Sequence, residues 1–212
     1  DRFANCVDVG IDNIKLQYNN AHVVRKKQSG KSLVLVGRFV DGEDYNRDEE
    51  QIADELLNSN GLDDLLEKSK SLSGRFVIIY TSGKQLLILP DAMASIPVNY
   101  SVIGDLCVSS NPKIIADING WQESNVSKKI TSSGDPTQPL PYDMTMYDQI
   151  KMVPPNHFFE CEARTVIRHY PLEKRDPVTV DMAATIASKL LMNIITGYHK
   201  QFRLSLPLTS GL

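Results

Sequence analysis

Apolar positions change rhythm along the first hundred residues, and the change indicates the fold class. Leu33, Val34, Leu35 and Val36 form a continuous apolar run punctuated by Gly37 and Gly42, the pattern of a buried strand. From Arg47 to Gly74 the spacing lengthens. Ile52, Leu56 and Leu57, then Leu62, Leu65 and Leu66, lie at helical intervals on either side of Asn60-Gly61, which predicts two short amphipathic helices. The first opens with Asp48, Glu49 and Glu50, acids that favour a helix N-terminus. Two further apolar runs, Phe76 to Tyr80 and Leu86 to Leu89, flank Thr81-Ser82-Gly83-Lys84, with Ser82-Gly83 as the turn of a hairpin. Val98 to Val102 and Leu106 to Val108, about Gly104-Asp105, predict another pair.

After Pro112 a short helix is expected over KIIADI, and 119–143 is rich in Ser, Gly, Pro, Gln and Asn, as in a long loop or partly helical excursion. Structure resumes from Tyr147 to Val153, breaks at Pro154-Pro155, and continues as two short strands around Glu162-Ala163. Asp176-Pro177 reads as a linker. Beyond it Met182, Ile186, Leu190 and Ile194 repeat every four residues, with Ala187, Leu191 and Ile195 beside them, a strong helical signal. The final run, FRLSLPLTSGL, predicts a strand entering a glycine turn. A helix, a buried strand and a glycine turn open many nucleotide-binding α/β domains.

Composition narrows the picture modestly. With 212 residues, 42% hydrophobic and 23% charged, the chain has enough apolar material for one large domain, or one domain and a fragment. A net charge of -3 argues against general attraction to nucleic acid or anionic membranes. The apolar runs fall well short of the roughly 20 residues that a spanning helix needs, and the first residues lack a basic end followed by an apolar block. Cys6, Cys107 and Cys161 are widely spaced and form no CxxC pair, which fits free thiols in a reducing cytoplasm.

Candidate chemistry is sparse. His22, His157, His169 and His199 stand at no metal-ligand spacing, so no metal site is expected, and there is no GxSxG. Cys6 could serve as an N-terminal nucleophile only if it were the first residue, with its own amino group as base. Asp1 to Asn5 precede it, and Val7 and Asp8 stand where a small residue and a glycine are expected. The plainer expectation is an early core strand holding Cys6, Val7 and Val9. The cluster Asp48-Glu49-Glu50 has two readings, a charged first helical turn or a carboxylate accepting a substrate ammonium; composition leaves both open.

Three stretches in order resemble the asparagine synthetase family, which includes β-lactam synthetases and lasso-peptide cyclases. LSGRFVIIYTSGKQLLILPDAMASIPVNYS resembles its Leu-x-Gly-x-Phe hairpin leading to Arg-Asp-x-x-Gly-x-x-Pro-Leu-Tyr-Tyr. TMYDQIKMVPPNHFFECEARTVIRHYPL resembles its Thr-x-Phe-x-x-Ile, Pro-Pro-Gly-His and Arg-Tyr-Trp-Pro signatures, and LPLTSGL the start of its Leu-Ser-Gly-Gly-Leu-Asp-Ser pyrophosphate loop.

The resemblance implies an α+β fold. A glutaminase-type domain of the Ntn-hydrolase kind, an αββα sandwich of antiparallel sheets between helices, would occupy residues 1–175. The first helix and strand of an ATP pyrophosphatase domain would occupy 176–212. It implies acyl-adenylate chemistry in the parent protein with ATP and magnesium, and Thr209, Ser210 and Gly211 as the start of the phosphate loop, where backbone amides approach phosphate oxygens closely. The expected partners are the C-terminal synthetase domain of the same protein and a second copy.

The glutaminase chemistry departs from the pattern. The family's Asn-Gly-Glu falls on Val36-Gly37-Arg38, and a valine cannot donate to an oxyanion. Its Arg-Asp falls on Pro90-Asp91, and the following Gly on Ala94 or Ser95. Asp48 and Glu50 match its Asp-x-Glu, so Gly37 and Asp48 are the vestigial glutamine-binding candidates. The expectation is a glutaminase-like domain that has lost glutamine hydrolysis. The alternatives are a non-catalytic docking or dimerisation module, and an active glutaminase exposed by processing before Cys6.

Overall fold

In the computed structural model, residues 5–8, 15–133, 140–174 and 176–205 are described. A short hairpin, β1 (Asn5–Asp8) and β2 (Lys15–Tyr18), precedes β3 (Val23–Gln28) and β4 (Lys31–Asp41). Helices α1 (Glu49–Leu57) and α2 (Leu62–Ser69) follow. Then come β5 (Leu72–Ser82), β6 (Gln85–Pro90), β7 (Asn99–Ser101) and β8 (Val108–Ser109). Helices α3 (Pro112–Asn119) and α4 (Asn125–Ser133) lead to β9 (Ile150–Met152), β10 (His157–Glu160) and β11 (Thr165–Arg168). Helix α5 (Val180–Gln201) comes last.

The apolar run of β4 is buried on both faces because the strand lies inside a six-stranded antiparallel sheet, ordered β11-β10-β6-β5-β4-β3. Its alternating side chains sort into two cores. Leu33, Leu35 and Phe39, with Phe76, Ile78 and Tyr80 of β5, meet Ile52, Ala53, Leu56 and Leu57 of α1 and Leu65 of α2. Val34, with Val77, Ile79, Leu86 and Ile88, meets Val98 and Tyr100 at β7 and Phe159 of β10, whose ring stacks on that of Tyr100 at 4.2 Å. The second, three-stranded sheet is ordered β8-β7-β9, and Ile115 and Ala116 of α3 cover it against Tyr147 and Ile150. The layers run helix, sheet, sheet, helix, and the fold is α+β with antiparallel sheets throughout.

Several elements differ from expectation in ways that have physical causes. Strand β3, whose Arg25, Lys26 and Lys27 hide its apolar pair Val23-Val24, has no clear hydrophobic period. Its hairpin with β4 turns at Ser29-Gly30, both at positive φ. The β5–β6 turn is tighter than anticipated, because Ser82 pairs with Gln85 and leaves only Gly83 and Lys84 between the strands. The polar excursion after Asn119 contains α4, anchored where Ser127 Oγ donates to the Thr145 carbonyl at 2.9 Å. The expected terminal strand has no counterpart at 203–205, and 206–212 lie outside the described residues.

Helix α5 starts at Thr179, whose side chain accepts from the Met182 amide at 3.3 Å. Its last turns dock on the outer end of β4. Gly197 is buried, and a Cβ there would meet Val40 Cβ at 3.1 Å. Asn193 donates to the Gly42 carbonyl at 2.9 Å, tying the helix to the loop after β4. The stripe that makes this contact continues toward the helix start as Met182, Ile186 and Leu190, where it is exposed.

Candidate functional site

The vestigial candidates Gly37 and Asp48 come from different elements, and one corner of the molecule joins their surroundings. The Gly37 amide donates to the His22 carbonyl at 2.9 Å. His22 Nε2 lies 2.5 Å from Glu49 Oε2, and Glu49 directly follows Asp48. Arg38, next to Gly37, places Nη1 3.6 Å from the same carboxylate oxygen. The other oxygen, Glu49 Oε1, is buried with no hydrogen-bond partner.

Backbone geometry accounts for Gly37. It has φ +114, and a Cβ there would lie 2.1 Å from the Arg75 carbonyl oxygen of β5. Gly74, two residues from Phe76 on the partner strand, has φ +150, and a Cβ would meet the Arg38 carbonyl oxygen at 2.2 Å. The two strands approach so closely here that only glycine fits at both crossings.

Helix α5 lies over this crossing. The Tyr198 hydroxyl donates to the Ser73 carbonyl at 3.2 Å, with the Arg38 carbonyl at 3.4 Å, and the Phe202 ring sits 5.1 Å from the Arg38 guanidinium carbon. Burial, with the negative charges of Glu49 and Asp91, pushes the Tyr198 hydroxyl above its ordinary pKa, so it remains a neutral donor near neutral pH.

Asp48 itself is the N-cap of α1. Its carboxylate accepts from the Gln51 amide at 2.8 Å while the Gln51 side chain accepts from the Asp48 amide at 3.0 Å, a reciprocal capping box. The more enclosed carboxylate of the first turn is Glu49, which the pattern of acids alone did not distinguish.

The Val36 side chain is partly buried against the second core and carries no hydrogen-bond donor. Asp91 is buried and fully engaged. It accepts from the amides of Phe76 at 3.2 Å, Met93 at 3.0 Å and Ser95 at 3.1 Å, and from Ser95 Oγ at 3.0 Å. The Asp-to-Ser spacing of four residues is the sequence trace of this knot. Asp41 does similar work for the next loop, accepting from the amides of Glu43 at 2.8 Å and Asp44 at 3.3 Å and from Arg47 at 2.7 Å.

Cys6 lies in β1, paired across the hairpin with Gln17, but its side chain is outside the described set. Thr209, Ser210 and Gly211 also lie outside the described residues. Among the described residues no group of three or more His, Cys, Asp or Glu is arranged to hold a metal, and no helix is long and apolar enough to cross a membrane. The corner therefore gathers charge and a phenol around a tight strand crossing, without a described nucleophile.

No family model matches the chain, and no curated protein matches it. Among solved structures it is similar to a glutamine phosphoribosylpyrophosphate (PRPP) amidotransferase from B. subtilis complexed with ADP and GMP, with a TM-score of 0.43 and 14% identity. The likeness covers 71% of this chain and 31% of that one, so the chain spans about a third of that protein's length.

Proposed function

We propose that this chain is the N-terminal part of an asparagine synthetase-like, ATP-dependent amide-forming ligase, and that its glutaminase-like domain has lost glutamine hydrolysis. The observation that carries the reading is the helix–sheet–sheet–helix stack, with Val36 partly buried against the second core at the position where the resemblance calls for an oxyanion donor. The occupied roles of Asp48 as a helix cap and Asp91 as a loop knot support it. In this reading the layers are those of an Ntn-hydrolase sandwich, retained as a scaffold.

The amine that attacks the activated acyl group is then free ammonia or another amine. ATP and magnesium belong to the parent protein and enter through the resemblance of residues 206–212. The partner is the C-terminal synthetase domain of the same protein, in the cytoplasm. The experiment is amide formation by the whole protein with ATP and either ammonium or glutamine as nitrogen source. Product from ammonium alone supports the proposal, and product from glutamine that Cys6→Ala abolishes refutes it.

One observation favours a second reading, a docking or dimerisation module. The stripe Met182, Ile186 and Leu190 is 55%, 51% and 37% accessible, a contiguous apolar helix face of the kind that partners cover. Amide formation by the whole protein, with sedimentation beside it, separates the two: a dimer that Ile186→Glu dissociates, with no ATP-dependent product from either ammonium or glutamine, favours the module.

A further inference from the structure

His169 follows β11 at the start of the connector to α5, and its environment is unusual for a histidine. Its amide donates to the Asn156 carbonyl at 3.0 Å, pinning the connector to the turn before β10. Its ring lies 6.4 Å from that of Phe158, a member of the first core. Both ring nitrogens are buried and neither has a hydrogen-bond partner. The groups that act on it are cationic or potentially so: His157 from β10 and Lys70 from the C-terminal end of α2, with Arg168 beside it in sequence. Lys70 is itself paired with Glu67 of α2.

We propose that His169 is an acid-sensitive staple, which holds the connector against the first core while its ring is neutral and releases it when the ring takes a proton. A neutral imidazole sits here as an aromatic body beside Phe158. An imidazolium would bury two donors without acceptors and face His157 and Lys70. Escape of the ring into water, by lifting His169 and Tyr170 away from the turn at Asn156, relieves both penalties.

The direction of the linkage follows from the site. Burial, then His157, then Lys70 hold the folded-state pKa below the ordinary value, so the opened connector binds the proton more readily than the closed one. Stability of the closed state is complete above the ordinary histidine value of about 6.5. It falls as the pH drops through that value toward the lower folded-state pKa, by at most about tenfold in the closing equilibrium per pH unit.

The reporter is the His169 amide itself. Its hydrogen-exchange protection, corrected for intrinsic rates, is measured from pH 7.5 to 5.5 in the native chain and in His169→Phe, with the β5 amides as a control for global unfolding. The expected result is protection that decreases severalfold with acid in the native chain while β5 stays protected, and a flat profile in His169→Phe. If His169→Phe does not fold, His169→Leu replaces it. A flat profile in the native chain, or an equal decrease in the variant, overturns the staple.

Discussion

Replacing Gly37 by alanine separates a glycine kept for backbone geometry from one kept for a substrate. The added Cβ would lie 2.1 Å from the Arg75 carbonyl oxygen and 2.9 Å from Phe76 Cα, at φ +114. Holding a non-glycine residue in such a conformation costs about 1–3 kcal/mol. Forcing the β4–β5 crossing apart adds roughly 1–3 kcal/mol as an overpacking cost. The stiffer unfolded chain returns about 0.4–1 kcal/mol. The expected net loss is therefore about 3 kcal/mol, which corresponds to roughly 6–12 °C in Tm for a chain of this size. Gly30→Ala is the matched control, because Gly30 also has positive φ, at +77, but nothing lies within 4 Å of its Cβ position. That variant carries only the left-handed penalty of about 1–2 kcal/mol, less the same unfolded-chain return of about 0.4–1 kcal/mol. Urea and thermal unfolding followed by circular dichroism measure both. Equal losses in the two variants would refute the close-approach argument.

Two other outcomes follow from the same geometry. Asp48→Ala should cost about 0.5–2 kcal/mol through the lost cap while Asp48→Ser keeps most of it, and urea unfolding that is unchanged in Asp48→Ala would contradict the capping role. Cys161, buried with its thiol pushed up to about 12 mainly by burial and secondarily by Glu160, should resist iodoacetamide at pH 8 until the chain unfolds. Partly exposed Cys107 should react before Cys161, and peptide mapping that finds Cys161 modified in the native state would be inconsistent with its packing.

The parts of the fold that were legible in the sequence are those in which burial imposes a period. Leu33 to Val36 announced a two-faced strand, the spacing of Ile52, Leu56 and Leu57 announced α1, and Met182 to Ile194 announced α5. Strand β3 was hidden because an edge strand needs cations more than apolar alternation, although Ser29-Gly30 carried its turn signal. The corner was less legible. His22 and Glu49 are 27 residues apart, and Tyr198 reaches Arg38 across 160, so no local spacing records either contact. Asp48 and Glu49 look equivalent as letters. The helix start separates them, spending one carboxylate on the cap and enclosing the other beside His22. Gly37 carried two meanings in the sequence, and the conformation at the crossing supplies a structural reason for it that resemblance alone does not.

The central claim concerns glutamine, and glutamate release tests it most directly. The purified chain is incubated with glutamine beside a Cys6→Ala variant and a protein-free blank, with the mature N-terminus fixed by mass spectrometry. The account predicts release at the blank rate for both proteins, because Val36 offers no oxyanion donor and Asp48 is engaged as a cap. Glutamate release above blank that Cys6→Ala abolishes would contradict it, and would make this domain a working glutaminase.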